Sequence, residues 1–555
     1  MGLMSISKEF TNFALKSFVN WKKFPDSLKF YFEVIVFKFN TIFRKKTYNN
    51  CPKSANELVD YINGNFRKNY IINEISSTST IEFLTTSLGK IDYGNDFSWN
   101  KFNSQTDIDR EIVFSFNRWY FLIYDQDLVQ QIDISDIHSL IYKWICQNKY
   151  DNCAPQWESY STSERISSLA IILRLKLTLD ETNKFIHDNE FIRNFLENSL
   201  LHLSNNLEYF SPEITFNHVV NDLKGIINAG MLLNDKNLVR KAAELILKEL
   251  DEILDDNGIL REGSSHYQFI ISKWLVELIY LLDYFNLNEF NPSLLKISIK
   301  ALTAAKFFLV NNSASELFIP LFGDVSPDFD PEWLLKYFKT INCNEQQCID
   351  KWHYGQKVLS LFFKLTKESN TFQYKKVYDS YTRIDRKDWI LFVKHEITSE
   401  KYFPNHSHDD YGSFVLFYKN SCILSDLGRK NYLQPPLSDV YCNVNSHNTI
   451  SLDGLPVMLS NHFFYLPGWI KKCFFKTSFK YENEKDIFII ETSAISRFKL
   501  FSSSFHIRKF ELSNNSFVVT DELKGIKGIQ ITSNLYFNNN VDTLDQRLIT
   551  IQIEH

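Results

Sequence analysis

His406-Ser-His-Asp-Asp-Tyr-Gly-Ser-Phe-Val-Leu-Phe-Tyr-Lys-Asn-Ser-Cys-Ile-Leu-Ser-Asp-Leu-Gly428 is the stretch that decides how the C-terminal part of this chain is read. A polar, histidine-bearing head runs into two short apolar runs, residues 413–418 and 422–425, as a β-hairpin requires. In an extended segment His406 and His408 project to one face, and Asp426 stands at the end of the second strand. Similar short runs follow outward, at 389–395, 450–452, 487–492, 505–512, 516–520 and 548–553. The run Phe505-His-Ile-Arg-Lys-Phe-Glu-Leu512 leads into Ser513-Asn-Asn-Ser516, a strand entering a turn. Strands at this spacing predict an antiparallel sandwich.

Upstream the periodicity changes. From 235 to 254, apolar residues fall at Leu238, Val239, Ala242, Ala243, Ile246, Leu250, Ile253 and Leu254, the spacing of an amphipathic helix. A second helix is expected over 266–285, opened by the turn Gly263-Ser264-Ser265, with a serine as N-cap. The same spacing recurs at 166–177, 191–203, 218–233, 292–309 and 356–365. Successive helices of similar length joined by short loops fit a toroid or solenoid of helix pairs. The expected organisation is α+β and multidomain: a helical domain over 1–370, a polar linker over 371–387 and an antiparallel β-sandwich over 388–555.

Bulk properties agree with two large domains, because 555 residues exceed one ordinary core. An apolar share of 44%, with few Gly and Pro, marks a folded chain rather than a disordered one. A net charge of −5 gives no global attraction to nucleic acid or an anionic membrane, so an anionic ligand needs a local cleft. The eight cysteines form no pair of CxxC motifs, which argues against a cysteine zinc site and for buried free thiols. Lysines 8, 16, 22 and 23 interrupt the N-terminal apolar residues, so no secretory signal is read there and a cytoplasmic location is expected, with a periplasmic one as the alternative. The apolar run at 30–37 is too short to span a bilayer.

Four clusters could carry chemistry, and they come from both halves: Asn217-His218 with Asn221; Arg261-Glu-Gly-Ser-Ser-His-Tyr267; Asn405-His-Ser-His-Asp-Asp410; and Asn445-Ser-His-Asn-Thr449. Asn217 and Asn221 lie one turn apart on one helix face. Each cluster alone has an ordinary structural reading, as a helix cap, a packed tyrosine or solvated histidines. Nor do His408, Asp426 and His447 form a short zinc signature.

Together and in this order, the clusters closely resemble the heparinase II/III-like polysaccharide lyases, a family related to alginate and oligo-alginate lyases. The resemblance runs from about Asn217 to about Asp521 and is most specific at 261–267, 406–428 and 447–454. The family's His-x-His-x-Asp, hairpin, Asp-x-Gly pattern reads here as His406, His408, Asp410, Asp426 and Gly428. Its His-Asn-Thr segment leading to Asp-Gly reads as His447, Asn448, Thr449, Asp453 and Gly454. The resemblance implies an N-terminal incomplete (α/α) toroid and a C-terminal antiparallel β-sandwich with the active site between them.

It also implies a β-elimination on an acidic polysaccharide. The proton at C5 of a uronic acid is hardly acidic beside a charged carboxylate, so the charge that develops there must be stabilised. Asn217, with His218 beside it, matches the family's neutralising asparagine; Tyr267 and His406 match its proton-transfer tyrosine and histidine. His408, Asp426 and His447 correspond to the positions that hold a zinc-like ion, here expected to be structural because elimination needs no activated water. Arg261, Glu262 and Asn221 are the expected substrate-binding residues. Gln268 stands where many relatives have histidine, no arginine occurs in 441–446, and the β domain is short; these departures bear on the substrate more than on the reaction. A uronyl C5-epimerase and a non-catalytic polysaccharide-binding or assembly protein are the rival readings. A toroidal glycoside hydrolase would need two carboxylates flanking the bond.

Overall fold

The computed structural model describes residues 52–67, 81–94, 96–105, 108–151, 154–209, 215–311, 317–342, 354–366, 373–395, 405–429, 439–458, 477–493, 504–525, 529–537 and 549–554. The described residues are mainly helical from 53 to 366 and mainly β from 381. Five long helices frame the functional part: α1 (Ser159–Lys176), α2 (Asn217–Leu232), α3 (Lys236–Ile253), α4 (Ser265–Tyr284) and α5 (Asn291–Phe308). Each covers one of the expected periodic segments. Asp235 caps α3 through the Leu238 N–H, and Ser264 caps α4 through the Tyr267 N–H. Helix α4 is buried nearly all round, with every residue from Ser265 to Leu282 inside. That is why its apolar residues form no narrow stripe. Two small hairpins interrupt the helices, Phe83–Thr86 with Gly89–Asp92 and Val310–Asn311 with Leu317–Phe318. No described helix is long and apolar enough to cross a membrane.

The β region contains a four-stranded antiparallel sheet, β1 (Tyr381–Arg386), β2 (Trp389–Lys394), β3 (Phe414–Tyr418) and β4 (Ser421–Leu424). A short sheet is built on β5 (Ile450–Leu452), with β6 (Thr477–Glu482), β7 (Ile487–Thr492), β8 (Phe505–Leu512) and β9 (Phe517–Lys524) following in a larger one. β10 (Ile531–Ser533) then pairs with β5, and β11 (Ile549–Glu554) closes the larger sheet beside β9.

Two sequence expectations are corrected. The segment 371–387 is not wholly linker, because β1 lies inside it and pairs residue for residue with β2. Among its charged residues, Arg383 is buried, and its guanidinium donates to the carbonyls of Phe307 and Leu309 at the end of α5. The β region is also not wholly antiparallel, since β11 runs parallel to β9. A parallel pair needs a long crossover, and the chain uses that length to add β10 to the other sheet on the way.

The four-stranded sheet is buried on both faces. Phe392, Val415 and Phe417 join the helical core. Their neighbours Leu391, Val393, Phe414 and Leu416 join a second core with Phe488, Ile490, Phe510 and Phe517 of the larger sheet. This explains why β2 and β3 read as continuous apolar runs rather than alternating ones. Each such side chain contributes about 1.5–3 kcal/mol, so the seam between helices and sheet is a packed core. The clusters singled out in the sequence meet at the edge of that seam.

Candidate active site

Tyr267 occupies the first turn of α4, and its ring stacks on His406 from the loop before β3, centroids 3.6 Å apart and planes 16° apart. Two backbone bonds fix this meeting of halves: the His406 N–H donates to the Glu262 carbonyl, and the Asp324 N–H to the His406 carbonyl, both at 2.9 Å. Gly263 and Gly323 make the close approach feasible. Both have positive φ, and a Cβ on Gly323 would stand 2.4 Å from the His406 carbonyl oxygen and 2.5 Å from that of Gly263.

His406 Nδ1 lies 3.0 Å from Asp324 Oδ2, and its Nε2 lies 3.4 Å from Glu262 Oε2. The other Asp324 oxygen lies 2.8 Å from His408 Nε2, and Arg429 Nη1 reaches both oxygens at 3.0 and 3.1 Å. Burial would raise the Asp324 carboxyl, but its bonds to His406 and His408 hold it well below the usual range. Glu262 goes the other way: burial raises it against the pull of His406 and of the Asn217 N–H.

Asn217 is the first residue of α2, where helix N–H groups are otherwise unpaired. Its N–H donates to Glu262 Oε1 at 2.7 Å, while neither side-chain amide atom has a partner among the described residues. A buried unpaired amide atom costs roughly 1–3 kcal/mol and marks a place where a ligand would be welcome. His218 beside it bonds to Glu208 at 3.0 Å and packs against Tyr160 and Phe216. Burial opposes its charge, yet Glu208 raises its pKa.

The remaining expected substrate residues are held elsewhere. Asn221 donates to the Tyr160 carbonyl at 3.1 Å. Arg261 donates to the carbonyls of Asp251 and Glu252 at 2.8 and 2.9 Å, closing the C-terminus of α3. Glu262 alone of the three faces His406.

For the expected metal ligands, His408 and His447 come together with ring centroids 5.2 Å apart. Nδ1 of His408 and Nε2 of His447 are both buried without a partner among the described residues. Asp426 bonds to His447 Nδ1, 3.0 Å from each oxygen, and also accepts from Ser413 and the Gly428 N–H. It thus holds the His447 ring through Nδ1 and leaves Nε2 on the other side. Two groups bring their donor atoms within 4.8 Å of one another: His408, Asp410 and His447; and Asp324, His408 and Cys442. The first group's imidazoles and carboxylate, with two orphaned ring nitrogens, fit a divalent ion. Cys146, Cys422 and Cys442 carry thiols rather than disulfides.

Several residues of this site carried no sequence signal. Lys394, at the end of β2, donates to the Gly263 carbonyl at 3.0 Å and Ser407 Oγ at 2.6 Å, and lies 2.7 Å from Asp410, with no exposure on either charged side chain. Arg508 in β8 donates from Nη1 to the Gly412 and Asn448 carbonyls and to Thr449 Oγ1, joining the loops of the third and fourth clusters. Its Nε lies 3.3 Å from Asp521, which also holds His506. The alternating pattern of β8 was the only hint, since it placed a charged residue on the inward face.

Comparison with known proteins agrees with this layout. Residues 379–552 match the family model described as heparinase II/III-like, C-terminal. No curated protein matches the sequence. Among solved structures, a crystal structure of heparinase III is 15% identical, covering 90% of this chain and 76% of that one, with a TM-score of 0.52. Heparan sulfate lyase HepC from Pedobacter heparinus is 16% identical, covering 86% of this chain and 70% of that one, with a TM-score of 0.44. The first likeness shows a shared fold of helices and antiparallel sheets, and residues 379–552 carry a heparinase II/III-like C-terminal domain.

Proposed function

We propose that this protein is a polysaccharide lyase that cleaves a uronic-acid-containing polysaccharide by β-elimination. The observation that carries the reading is the stack of Tyr267 on His406, a phenol and an imidazole contributed by different halves of the chain. One removes the C5 proton; the C5–H electrons form the C4–C5 double bond as the C4–O bond breaks. The other delivers a proton to the leaving oxygen, or the same group returns the one it took, according to the face that carries C5–H. Asn217, whose buried amide atoms lack partners among the described residues, would take the uronate carboxylate and stabilise its enolate-like charge, with His218 beside it.

His408, His447 and a carboxylate, Asp410 or the originally expected Asp426, would hold a zinc-like ion. When bound, the ion would stiffen the loop that carries His406. On this reading the helical half closes as an incomplete (α/α) toroid and the two larger sheets form a sandwich, supported by the core they share. The cell's own surface-polysaccharide precursors, or imported oligosaccharides, are the proposed substrates, with action in the cytoplasm. Finding the protein only outside the cytoplasm on fractionation would remove that part.

The test is a screen of the purified chain and Tyr267→Phe on uronic-acid polymers, read by ultraviolet absorbance of the new conjugated double bond. The wild type should form product, and the variant should be slower by roughly 10²–10⁴-fold. Equal rates would remove Tyr267 from its role. A changed uronate without the chromophore would point to the C5-epimerase.

A further inference from the structure

Asp324 lies on no regular element and in no cluster singled out by sequence, yet His406, His408, Arg429 and the cap of α4 all converge on it. Its two oxygens face two different histidines, Oδ2 to His406 Nδ1 at 3.0 Å and Oδ1 to His408 Nε2 at 2.8 Å. An ionised carboxylate only accepts, so each ring must present an N–H there. That choice fixes both tautomers at once. His406 keeps its Nε2 lone pair, on the side where Glu262 stands, and His408 keeps its Nδ1 lone pair, one of the orphaned nitrogens beside His447.

The backbone of Asp324 is tied to the same centre. Its N–H donates to the His406 carbonyl at 2.9 Å, and its carbonyl accepts from Ser264 Oγ at 2.6 Å. Ser264 is the N-cap of α4 and also accepts from the Tyr267 N–H at 3.0 Å. One residue of the helical half therefore touches the His406 ring, the His406 main chain and the cap that sets Tyr267. Arg429 neutralises the charge so concentrated, at 3.0 Å.

We infer that Asp324 is a positioning residue that sets the tautomer of His406 and its register against Tyr267, so that Nε2 is the proton-transfer atom. The inference rests on the lyase reading for its kinetic consequence, though not for its structural one. An orienting carboxylate of this kind acts through geometry rather than by taking the proton, and losing it leaves the ring free to adopt the wrong tautomer.

The experiment uses the full chain labelled with 15N-histidine, His406 being assigned by difference from His406→Gln. Spectra are taken at about pH 8, where an ordinary imidazole is neutral. Wild type should show His406 with Nδ1 protonated and Nε2 bare. Asp324→Asn, nearly the same shape without the charge, should lose that preference. Asp324→Glu, which restores the carboxylate, should regain it. On a uronan that the wild type cleaves, Asp324→Asn should lower kcat by roughly 100-fold or more while KM changes less than about threefold, and Asp324→Glu should recover part of kcat. A His406 whose Nε2 carries the proton in wild type overturns the inference, even if Asp324→Asn fails to fold. So does an Asp324→Asn protein with unchanged tautomer and kcat. If no uronan is cleaved, the lyase reading fails alone, and the spectra still decide the role of Asp324.

Discussion

Asn217 and Tyr267 each stand in the first turn of a long helix, whereas His406, His408 and His447 stand on loops between strands. The helical pair inherit their positions from α2 and α4, each fixed over its whole length by backbone bonds. The histidines are held by buried polar side chains: Lys394 on Ser407 and Asp410, Arg508 on two loop carbonyls, and Asp426 on His447. The start of α4 is held by one cap, Ser264, worth about 1 kcal/mol, and that of α2 by the Asn217 N–H on Glu262. A buried ionic brace is different, because removing one member strands the other's charge. The β half should therefore be the fragile half of the site.

The sharpest way to break this contrast is Lys394→Met. It leaves the Asp410 carboxylate, which has no exposure, without its ammonium. The expected cost is about 3–5 kcal/mol in urea unfolding, and replacing Asp410 by Leu in the same chain should recover much of it. A loss below about 1 kcal/mol in the single variant would mean the loops are held some other way.

A smaller effect comes from two buried histidines, one in each half. Burial pushes both His266, beside Tyr267, and His395, at the end of β2, down to about 3. A base with a depressed folded pKa binds its proton only on unfolding, so stability is full above the unfolded value of about 6.5 and is lost as pH falls from there toward 3. Each ring should cost about 2 kcal/mol between pH 6.5 and 5. His395 bonds to Thr382 and lies against Phe479 and Phe488, away from Tyr267. In denaturation at a series of pH values, His395→Gln should flatten about half the slope. A slope unaltered by that change would assign acid sensitivity to the helical half alone.

Comparable in size is Gly323→Ala, at the point where the halves touch. The added methyl meets two carbonyl oxygens, and φ of +69° is strained for any side chain. The expected loss is about 1–3 kcal/mol, accompanied by lower kcat because the carbonyl that must give way belongs to His406. Loss of stability with full activity would show that the seam can relax without moving the ring.

The same contrast explains what the sequence made visible. The helix that carries Tyr267 could be placed because its start has a local signature, Gly263-Ser264-Ser265 before a periodic run, while Tyr267 and Asn217 themselves were marked by the resemblance. His406, His408 and His447 stood out through residue type and resemblance. Asp324 did not, because its meaning lies in partners 82 and 84 residues away. Lys394 read as the polar end of a strand, and Arg383 made β1 look like linker, since a buried charge and a solvated one look alike until its partner is known. Asp426 was expected at the ion; the donor groups that converge among the described residues contain Asp410 or Asp324, a nearness that sequence spacing does not record.

Arg261 gives the smallest effect and tests the helical side of the contrast. The resemblance marked it for the substrate, yet its guanidinium spans two carbonyls at the end of α3. A cation there meets the negative end of the helix dipole and contributes about 0.3–1 kcal/mol. If that is its whole role, Arg261→Ala should lower stability by about that amount and leave KM on a uronan unchanged. A KM rise of tenfold, equal to about 1.4 kcal/mol of uniform binding, would mean the side chain leaves the helix end when substrate arrives. The helical half would then supply a mobile group as well as fixed ones.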